Sequence, residues 1–416
     1  MTKIRKAIRF RLKTKGDIES RLTRICGCAR FVWNKSLAMN LARLERREPI
    51  LWYNELAFWL TLWKRSEEYG FLKECPSQVL QQKLMDLDRA FRDAFDRSQP
   101  LKRLPVFKKK GRGEGIRFPQ GFQIENKRVF LPKVGWVGFF KSRHIEGKVK
   151  NITISSRAGK WYMSVQVEQE VTIGVHPSTS EIGIDAGIMC FAAFSDGRMV
   201  DGVHSFRKHE QRLAREQRKL ARKKKGSSNW QKQKRKISRL HHRISNVRSD
   251  FLHKLSTRIS ETQARVYVEG LQIRNMSASA RGTIDAPGRG VRAKSGLNKS
   301  ILDQGWYEFR RQLSYKLFWK GGALVEVDYR HTSQRCSRCG FTVRENRPAQ
   351  ALFRCLICGH EENADVNAAK NILTAGRAGM ACASEPHRWS AAGTCKDLQR
   401  KLALDFVESM ESLSFR

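Results

Sequence analysis

The sequence predicts a multidomain protein of mixed α+β and α/β character. Three observations carry that expectation. Strand-like runs with two-residue alternation cluster between residues 128 and 170, and helical periodicities precede them. After residue 176, strands alternate with very basic helical stretches. Two paired-cysteine knuckles follow near the end. At 416 residues the chain is long enough for two or three domains, each with its own core.

The elements follow in chain order. "KAIRFRLK", residues 6–13, alternates apolar and polar side chains, as a strand with one solvated face does. From Ile18 to Arg47, Leu22, Ile25, Ala29, Val32, Trp33, Leu37 and Leu41 recur at helical spacing. A further helix opens after Pro76, with Ser77 as its expected cap. Leu80, Leu84, Leu87, Phe91 and Phe95 form its core-facing stripe. Residues 100–121 are a Pro/Gly/Lys-rich loop. "RVFLP", "VKNITISS" and "KWYMSVQVEQE" then read as strands, the last two joined by the turn "RAGK". This is hairpin and small-barrel texture over residues 1–175, with helices at about 18–98. "VTIGVHPSTS" reads as a linker.

The second module opens with "EIGIDAGIMCFAAFSDGRMV", a hairpin whose first strand carries Asp185. A long, very basic helical segment follows, broken near Gly226–Ser228, and then the buried strand "ARVYVEGL" with Glu269. The Gly- and Arg-bearing loop 281–296 reads as mobile. "KSILDQGWYEFRRQLSYKLFW" is expected as one amphipathic helix and "ALVEVDYR" as a strand. The cysteine knuckles and the helix "NADVNAAKNIL" complete the module, which spans 176–375. Residues 376–416 have no assignable character.

Charge narrows the function. There are 81 Lys and Arg against 40 Asp and Glu, a net charge of +41, and the pI is near 10.4. Self-repulsion of that size is tolerated when a polyanion neutralises it, and nucleic acid is the usual one. An anionic membrane surface is the competing partner, but no apolar run approaches the ~20 residues of a spanning helix. The basic start breaks up any signal-like apolar run, so the chain is read as cytoplasmic and not secreted. A charge run is usually only a solvated helix face. Here the positive charge is so one-sided that Lys223, Lys224, Lys225, Lys232, Lys234, Arg235 and Lys236 are taken as candidate phosphate contacts.

Ten cysteines in a non-secreted chain point to reduced thiols or metal ligands. Cys336-x2-Cys339 and Cys355-x2-Cys358, each followed by glycine, have paired-knuckle spacing. Four thiolates suit one structural zinc ion with a closed shell. The other six cysteines read as small apolar residues. Asp185 and Glu269 interrupt apolar strands, where an unpaired buried carboxylate costs several kcal/mol. Either one alone would be explained by an arginine or an amide partner, and Asp365 alone by the dipole of the helix it opens. Together, three acids from separate segments suit Mg²⁺, and a pair of such ions hydrolyses phosphodiesters.

"GIDAG" with Asp185, "VYVEGL" with Glu269, "RHTSQRCSRCG…CLICG" and "NADVNAAKNIL" with Asp365, in this order, resemble the TnpB (OrfB) family over about residues 181–375. "ARFVWNKSL" extends the likeness toward the N-terminus. These insertion-sequence proteins are relatives of the type V CRISPR effectors. The resemblance implies a RuvC-like, RNase H-type nuclease domain with Asp185, Glu269 and Asp365 as its catalytic, magnesium-binding acids. It implies a zinc ribbon at about 331–362 and a wedge-like N-terminal β-barrel with a helical recognition insert. The implied partners are a guide RNA from the transposon end and double-stranded target DNA, cut beside a short flanking motif in a prokaryotic, nucleoid-associated setting. A monomer is the favoured state. The rival readings are a guide-dependent DNA-binding regulator that does not cut, a strand-transfer transposase, and a non-enzymatic RNA-binding protein with a zinc ribbon.

Overall fold

The computed structural model describes residues 2–111, 115–328 and 332–383. The unassigned sequence from 384 onward, with Cys395, lies outside the described residues, as does the side chain of Cys382. The chain divides into two compact units, the first running to Val171 and the second beginning at Thr172.

In the first unit, strand β1 (Thr2–Lys13) leads into helices α1 (Asp17–Glu45), α2 (Tyr53–Arg65) and α3 (Ser77–Phe95). Six strands follow: β2 (Gly115–Phe118), β3 (Gln123–Glu125), β4 (Arg128–Leu131), β5 (Gly135–Phe140), β6 (Lys148–Arg157) and β7 (Lys160–Val171). They form one sheet in the order β2-β6-β7-β1-β5-β4-β3. All the pairs are antiparallel. β1 pairs with β7 from Thr2 to Arg11 and with β5 from Arg11 to Lys13, so it is staggered between two neighbours. The recorded edges of the expected barrel are β2 and β3. The alternation works as read from the sequence. Phe10, Leu12, Phe139, Met163 and Val165 turn inward to share one core with Leu22, Ile25, Leu80 and Leu84 of the helices.

Two expectations in this unit are corrected. Ser77 makes no capping bond, because Pro76 holds the N-cap position and the Ser77 hydroxyl accepts from Lys64 Nζ at 2.6 Å. Phe95, at the last residue of α3, is 48% exposed and so leaves the buried stripe. The "RAGK" turn is a tight hairpin with Ala158 at φ 52° and Gly159 at φ 75°, the left-handed pair that two-residue hairpins require.

The second unit begins with β8 (Glu181–Asp185), β9 (Cys190–Phe194) and β10 (Met199–Asp201), followed by α4 (Glu210–Ala221) and α5 (Ser228–Thr262). Then come β11 (Arg265–Glu269), α6 (Ile273–Met276), α7 (Val291–Gln304), α8 (Trp306–Trp319) and β12 (Ala323–Val327). The hairpin β13 (Leu352–Arg354) and β14 (Glu361–Asn363) precedes α9 (Ala364–Ala383). The sheet order is β10-β9-β8-β11-β12. β8, β11 and β12 are parallel, whereas β9 and β10 run antiparallel as a meander. The helix expected over 299–319 is two helices, since Gly305 at φ 76° breaks it. The loop 281–296 is partly ordered by a bridge between Gly282 and Pro287 and by the start of α7.

The two faces of this sheet are built differently. Ile182, Ile184, Val266 and Val268 pack on Leu252, Phe309 and Leu313 from α5 and α8. Gly183 and Tyr267, adjacent in register, face α9 instead. A Cβ at Gly183 would lie 2.2 Å from the carbonyl oxygen of Ala369, and one at Gly376 would lie 2.0 Å from the Tyr267 ring. The strand period then puts Asp185 on the Gly183 face and Glu269 on the Tyr267 face, both at strand C-termini. We expect Gly183→Ala to destabilise the protein by about 1–3 kcal/mol, as overpacking against backbone does. Gly27→Ala in α1, where a Cβ meets nothing nearer than 3.9 Å, should be neutral or stabilising. Thermal unfolding of the two variants checks this, and equal midpoints would be the contrary result.

Candidate metal centre and acidic site

The cysteine cluster is built by two tight turns. Gly340 donates to the Cys336 carbonyl at 2.9 Å and Gly359 to that of Cys355 at 3.1 Å, each glycine at positive φ. This is why a glycine follows each pair. The Sγ atoms of Cys336 and Cys358 are 3.6 Å apart, and those of Cys339 and Cys355 are 3.5 Å apart. All four lie within 4.8 Å of one another. Sulfurs at the corners of a zinc tetrahedron with ~2.3 Å bonds are about 3.8 Å apart, so the donor set fits a metal such as zinc. Buried Asn346 joins the knuckles, donating to the carbonyls of Gln334 and Phe341 and accepting from Leu356 N–H.

The cluster is tied directly to α9. Asn367 Oδ1 accepts from Ser337 N–H at 2.9 Å, and its Nδ2 donates to the Arg335 carbonyl at 2.8 Å. One turn on, Asn371 donates to the carbonyls of Thr332 and Arg335 at 2.9 and 2.6 Å. Asn363 Oδ1 accepts from the N–H groups of Asp365 and Val366, capping the helix. These three asparagines stand at four-residue spacing in "NADVNAAKN", a signal that was in the sequence and went unread.

The three candidate acids meet at one end of the sheet. Asp185 ends β8, Glu269 ends β11, and Asp365 lies in the first turn of α9. Burial first, then Glu269 and Asp365, push the Asp185 carboxyl up to about 7, while Arg347 opposes the shift. Burial also raises Glu269, whose Oε1 accepts from the Thr332 hydroxyl at 2.7 Å. Arg347 reaches Asp365 Oδ1 at 3.0 Å. The carboxylates are not drawn within 4.8 Å of one another as the thiolates are. Two ions about 4 Å apart need ligands spread more widely than that. Thr332, inside the quoted "RHTSQRCSRCG", and Arg347, outside any motif, were given no role at the sequence level, because both reach the acids only through the folded clip.

The basic candidates lie on one helical hairpin. Lys223, Lys224 and Lys225 occupy the turn between α4 and α5, and Lys232, Lys234, Arg235 and Lys236 follow on exposed positions of α5. Lys236 is partly engaged, 3.2 Å from Glu216, and Lys234 lies over the Trp230 ring at 5.2 Å. No helix among the described residues is long and apolar enough to cross a membrane.

Comparison with known proteins gives three family matches. A family described as "Probable transposase" matches residues 164–280, "Cas12f1-like, TNB domain" matches 306–372, and "Helix-turn-helix domain" matches 1–49, which here form β1 and α1. "Putative RNA-guided DNA endonuclease InsQ" of Escherichia coli K12 is 50% identical over 90% of this chain and 93% of its own length. "Putative RNA-guided DNA endonuclease" of Streptomyces pristinaespiralis is 34% identical, covering 92% of each. The solved structure titled "Cryo-EM structure of the Cas12f1-sgRNA-target DNA complex" has a TM-score of 0.51 at 14% identity, over 89% of this chain and 98% of that one. That likeness is one of fold.

Two outcomes are expected. Cys355→Ser should lower bound metal and folding yield together, since closing the cluster is coupled to folding. Metal analysis of purified protein checks it, and well-folded wild-type protein without metal would count against it. In magnesium-free buffer, native Asp185 holds a proton that the unfolded chain, with a pKa near 3.9, has released. Stability from this group is therefore present at low pH and lost as pH rises toward about 7. Asp185→Asn should gain on the order of 2 kcal/mol over wild type at pH 8 and about half of that at pH 5.5, discounted for the half-buried position. Denaturant unfolding at both pH values measures it, and a pH-independent difference would contradict it.

Proposed function

The chain belongs to the TnpB (OrfB) family, and from that premise we propose that it is an RNA-guided DNA endonuclease encoded by a transposable element. The observation that carries the reading is the meeting of Asp185, Glu269 and Asp365 at one end of the sheet, where burial, reinforced by the other two acids, pushes Asp185 up to about 7. Groups so perturbed cluster at functional sites. An antiparallel meander followed by parallel strands, with acids at the ends of β8 and β11, supports a RuvC-like, RNase H-type domain. The cysteine cluster holds structural zinc in a ribbon inserted before Asp365. The first unit is the wedge-like module with α1, α2 and α3 as its recognition insert, which reads a short flanking motif beside the target.

The three carboxylates suit Mg²⁺, an oxygen-seeking ion, and two such ions would activate water and stabilise the leaving oxygen of a phosphodiester. The chain's own residues prepare that chemistry. Asp185 feels both other acids and would hold metal together with them. Thr332 holds one oxygen of Glu269, fixing which way the carboxylate faces. Arg347 balances charge at Asp365 and lowers the Asp185 shift, limiting repulsion among three acids in a half-buried site. Guide RNA, made from the transposon end, pairs with the target strand, so base pairing carries sequence specificity and the protein supplies grip and cleavage. The lysine-rich hairpin tracks phosphates. A strand-transferring enzyme is the second reading, favoured by the "Probable transposase" match over β8 and β11, and a strand-joining assay separates the two.

Asp185→Asn should lower cleavage of a guide-matched duplex by more than about 100-fold and leave RNA and target binding intact. Thr332→Val should cost about 10–100-fold, the usual range for a residue that orients a metal ligand. The assay is duplex cleavage with Mg²⁺ and co-purified RNA, alongside a binding measurement. Cutting at the wild-type rate by Asp185→Asn protein would refute the assignment.

A further inference from the structure

We propose that Gln304 is a positioning residue for the acidic site. By holding the carbonyl of Ile188 it fixes the turn between β8 and β9, and through that turn the carboxylate of Asp185. This role rests on the nuclease reading above and lies outside both the three acids and the cysteine clip.

Asp185 needs such support because the sheet releases it early. The parallel ladder between β8 and β11 ends at Ile184 opposite Val268, one residue short of Asp185. On the other side β8 pairs with β9 at two positions, Ile184 with Phe194 and Asp185 with Ala193. Ala186 to Met189 then form the turn, and Met189 near its tip is 72% exposed. The bond that closes the turn, from Gly187 N–H to the Phe191 carbonyl, is long at 3.3 Å. Ala186 N–H bonds the Asp185 carboxylate and favours its charged form. A shift of the turn therefore reaches the acid directly.

Gln304 supplies the external hold. It is the last residue of α7 and is buried, and its Nε2 donates to the Ile188 carbonyl at 3.0 Å. A buried amide carries a desolvation cost that Met at the same place would avoid. What the amide adds is a fixed partner, not burial. Two glycines make room for it. A Cβ at Gly202 would lie 2.9 Å from Gln304 Oε1, and one at Gly305 would lie 3.2 Å from Arg248 and Leu252 of α5. The neighbouring Asp303, also buried, locks the same end of α7. Its carboxylate accepts from the Ser205 hydroxyl at 3.0 Å and from the Phe206 and Arg207 N–H groups at 2.9 and 3.3 Å. Arg248 reaches Asp303 Oδ1 at 3.3 Å and the Leu302 carbonyl at 3.1 Å, covering the open end of the helix. Gln304 is thus a short arm on a rigid mount, one hydrogen bond from the backbone that carries Asp185.

A merely structural amide behaves differently, and Gln312 in α8 is the comparison. It is fully buried, its Oε1 accepts from the Ser256 hydroxyl at 3.0 Å, and its Nε2 donates to Glu308 at 2.9 Å. Those bonds join α5 and α8 and leave the β8–β9 turn alone.

The test compares Gln304→Met with Gln312→Met in the full chain with its co-purified RNA. The probe is Fe²⁺ in place of Mg²⁺, with ascorbate and peroxide, which cuts the polypeptide beside a bound ion. Mass spectrometry should place wild-type fragment ends near Asp185, Glu269 and Asp365. Gln304→Met should need about tenfold more Fe²⁺ for the same fragment yield, the low end for residues that orient metal ligands. It should need about tenfold more Mg²⁺ for half-maximal cleavage of a guide-matched duplex as well. Gln312→Met should lower the thermal midpoint at least as much and leave both metal requirements unchanged. Gly202→Ala keeps the amide but displaces it, so it should shift both requirements in the same direction even where Gln304→Met folds poorly. Wild-type requirements in both Gln304→Met and Gly202→Ala, an equal shift in Gln312→Met, or wild-type fragments that avoid the three acids would each overturn the proposal. Wild-type protein that cuts no DNA, while Gln304→Met still weakens fragmentation at Asp185, would sink the nuclease reading and leave this one standing.

Discussion

The arrangement of the second unit depends on how closely α9 lies on β8 and β11. That approach is possible only where side chains are missing. Gly183 meets the backbone of Ala369 and Leu373, and Gly376 meets the Tyr267 ring, so one glycine comes from each partner surface. The contact fixes the direction of the helix as well as its distance. Asp365 Oδ2 lies close to Gly187, just past the end of β8, while Arg377 at the far end bonds Glu181 at 2.7 Å at the start of the same strand. The helix therefore runs antiparallel to β8, with its first turn at the end where Asp185 and Glu269 emerge. A residue with a Cβ at either glycine would push the helix outward and take Asp365 with it.

The cysteine cluster holds this geometry along a second axis. Its first knuckle is bonded to Asn367 and Asn371, on the turns of α9 that follow Asp365. The loop before that knuckle carries Thr332, which bonds Glu269. The segment between the knuckles carries Arg347, which bonds Asp365. A folded clip thus sets the orientation of two of the three acids while supplying no thiolate to them. An unclosed cluster would loosen Thr332, Arg347 and the asparagine contacts together, a coupling that separate hydrogen bonds on a mobile loop would lack.

Legibility in the sequence followed the physics of each residue. Asp185 and Glu269 were visible because a carboxylate in an apolar strand is costly and needs a reason. The knuckles were visible because metal geometry fixes short spacings. Asp365 alone looked like an ordinary helix-start acid, and it stood out only in company with the other two acids and through the resemblance. Thr332 and Arg347 were invisible because their partners are distant in sequence and defined by the folded clip. In β5, "GWVGFF" went unassigned because Gly135 and Gly138 weaken the strand signal, and two of its aromatics face solvent. Gly305 sat inside a good helical pattern and still ended the helix, because a positive φ was required there. Phe95 kept the right spacing but fell one turn beyond the core. Periodicity reports which face a residue is on, and length along the element decides whether anything lies opposite.

The net charge of +41 raises a last question, since a field of that sign should hold every carboxylate ionised. Asp185 is nevertheless pushed up to about 7. Range resolves the conflict. At physiological salt, charges beyond about 8 Å are largely screened, so most of the lysines and arginines act on the site weakly. Burial and two neighbouring carboxylates act at close range, and among the described residues Arg347 is the cation that counters them. The positive charge is thus free to serve a polyanion along the surface without neutralising the acids. The acids keep the mutual repulsion that, after burial, raises Asp185. Among the described residues, Arg347 tempers that repulsion at close range, which leaves the Asp185 shift upward.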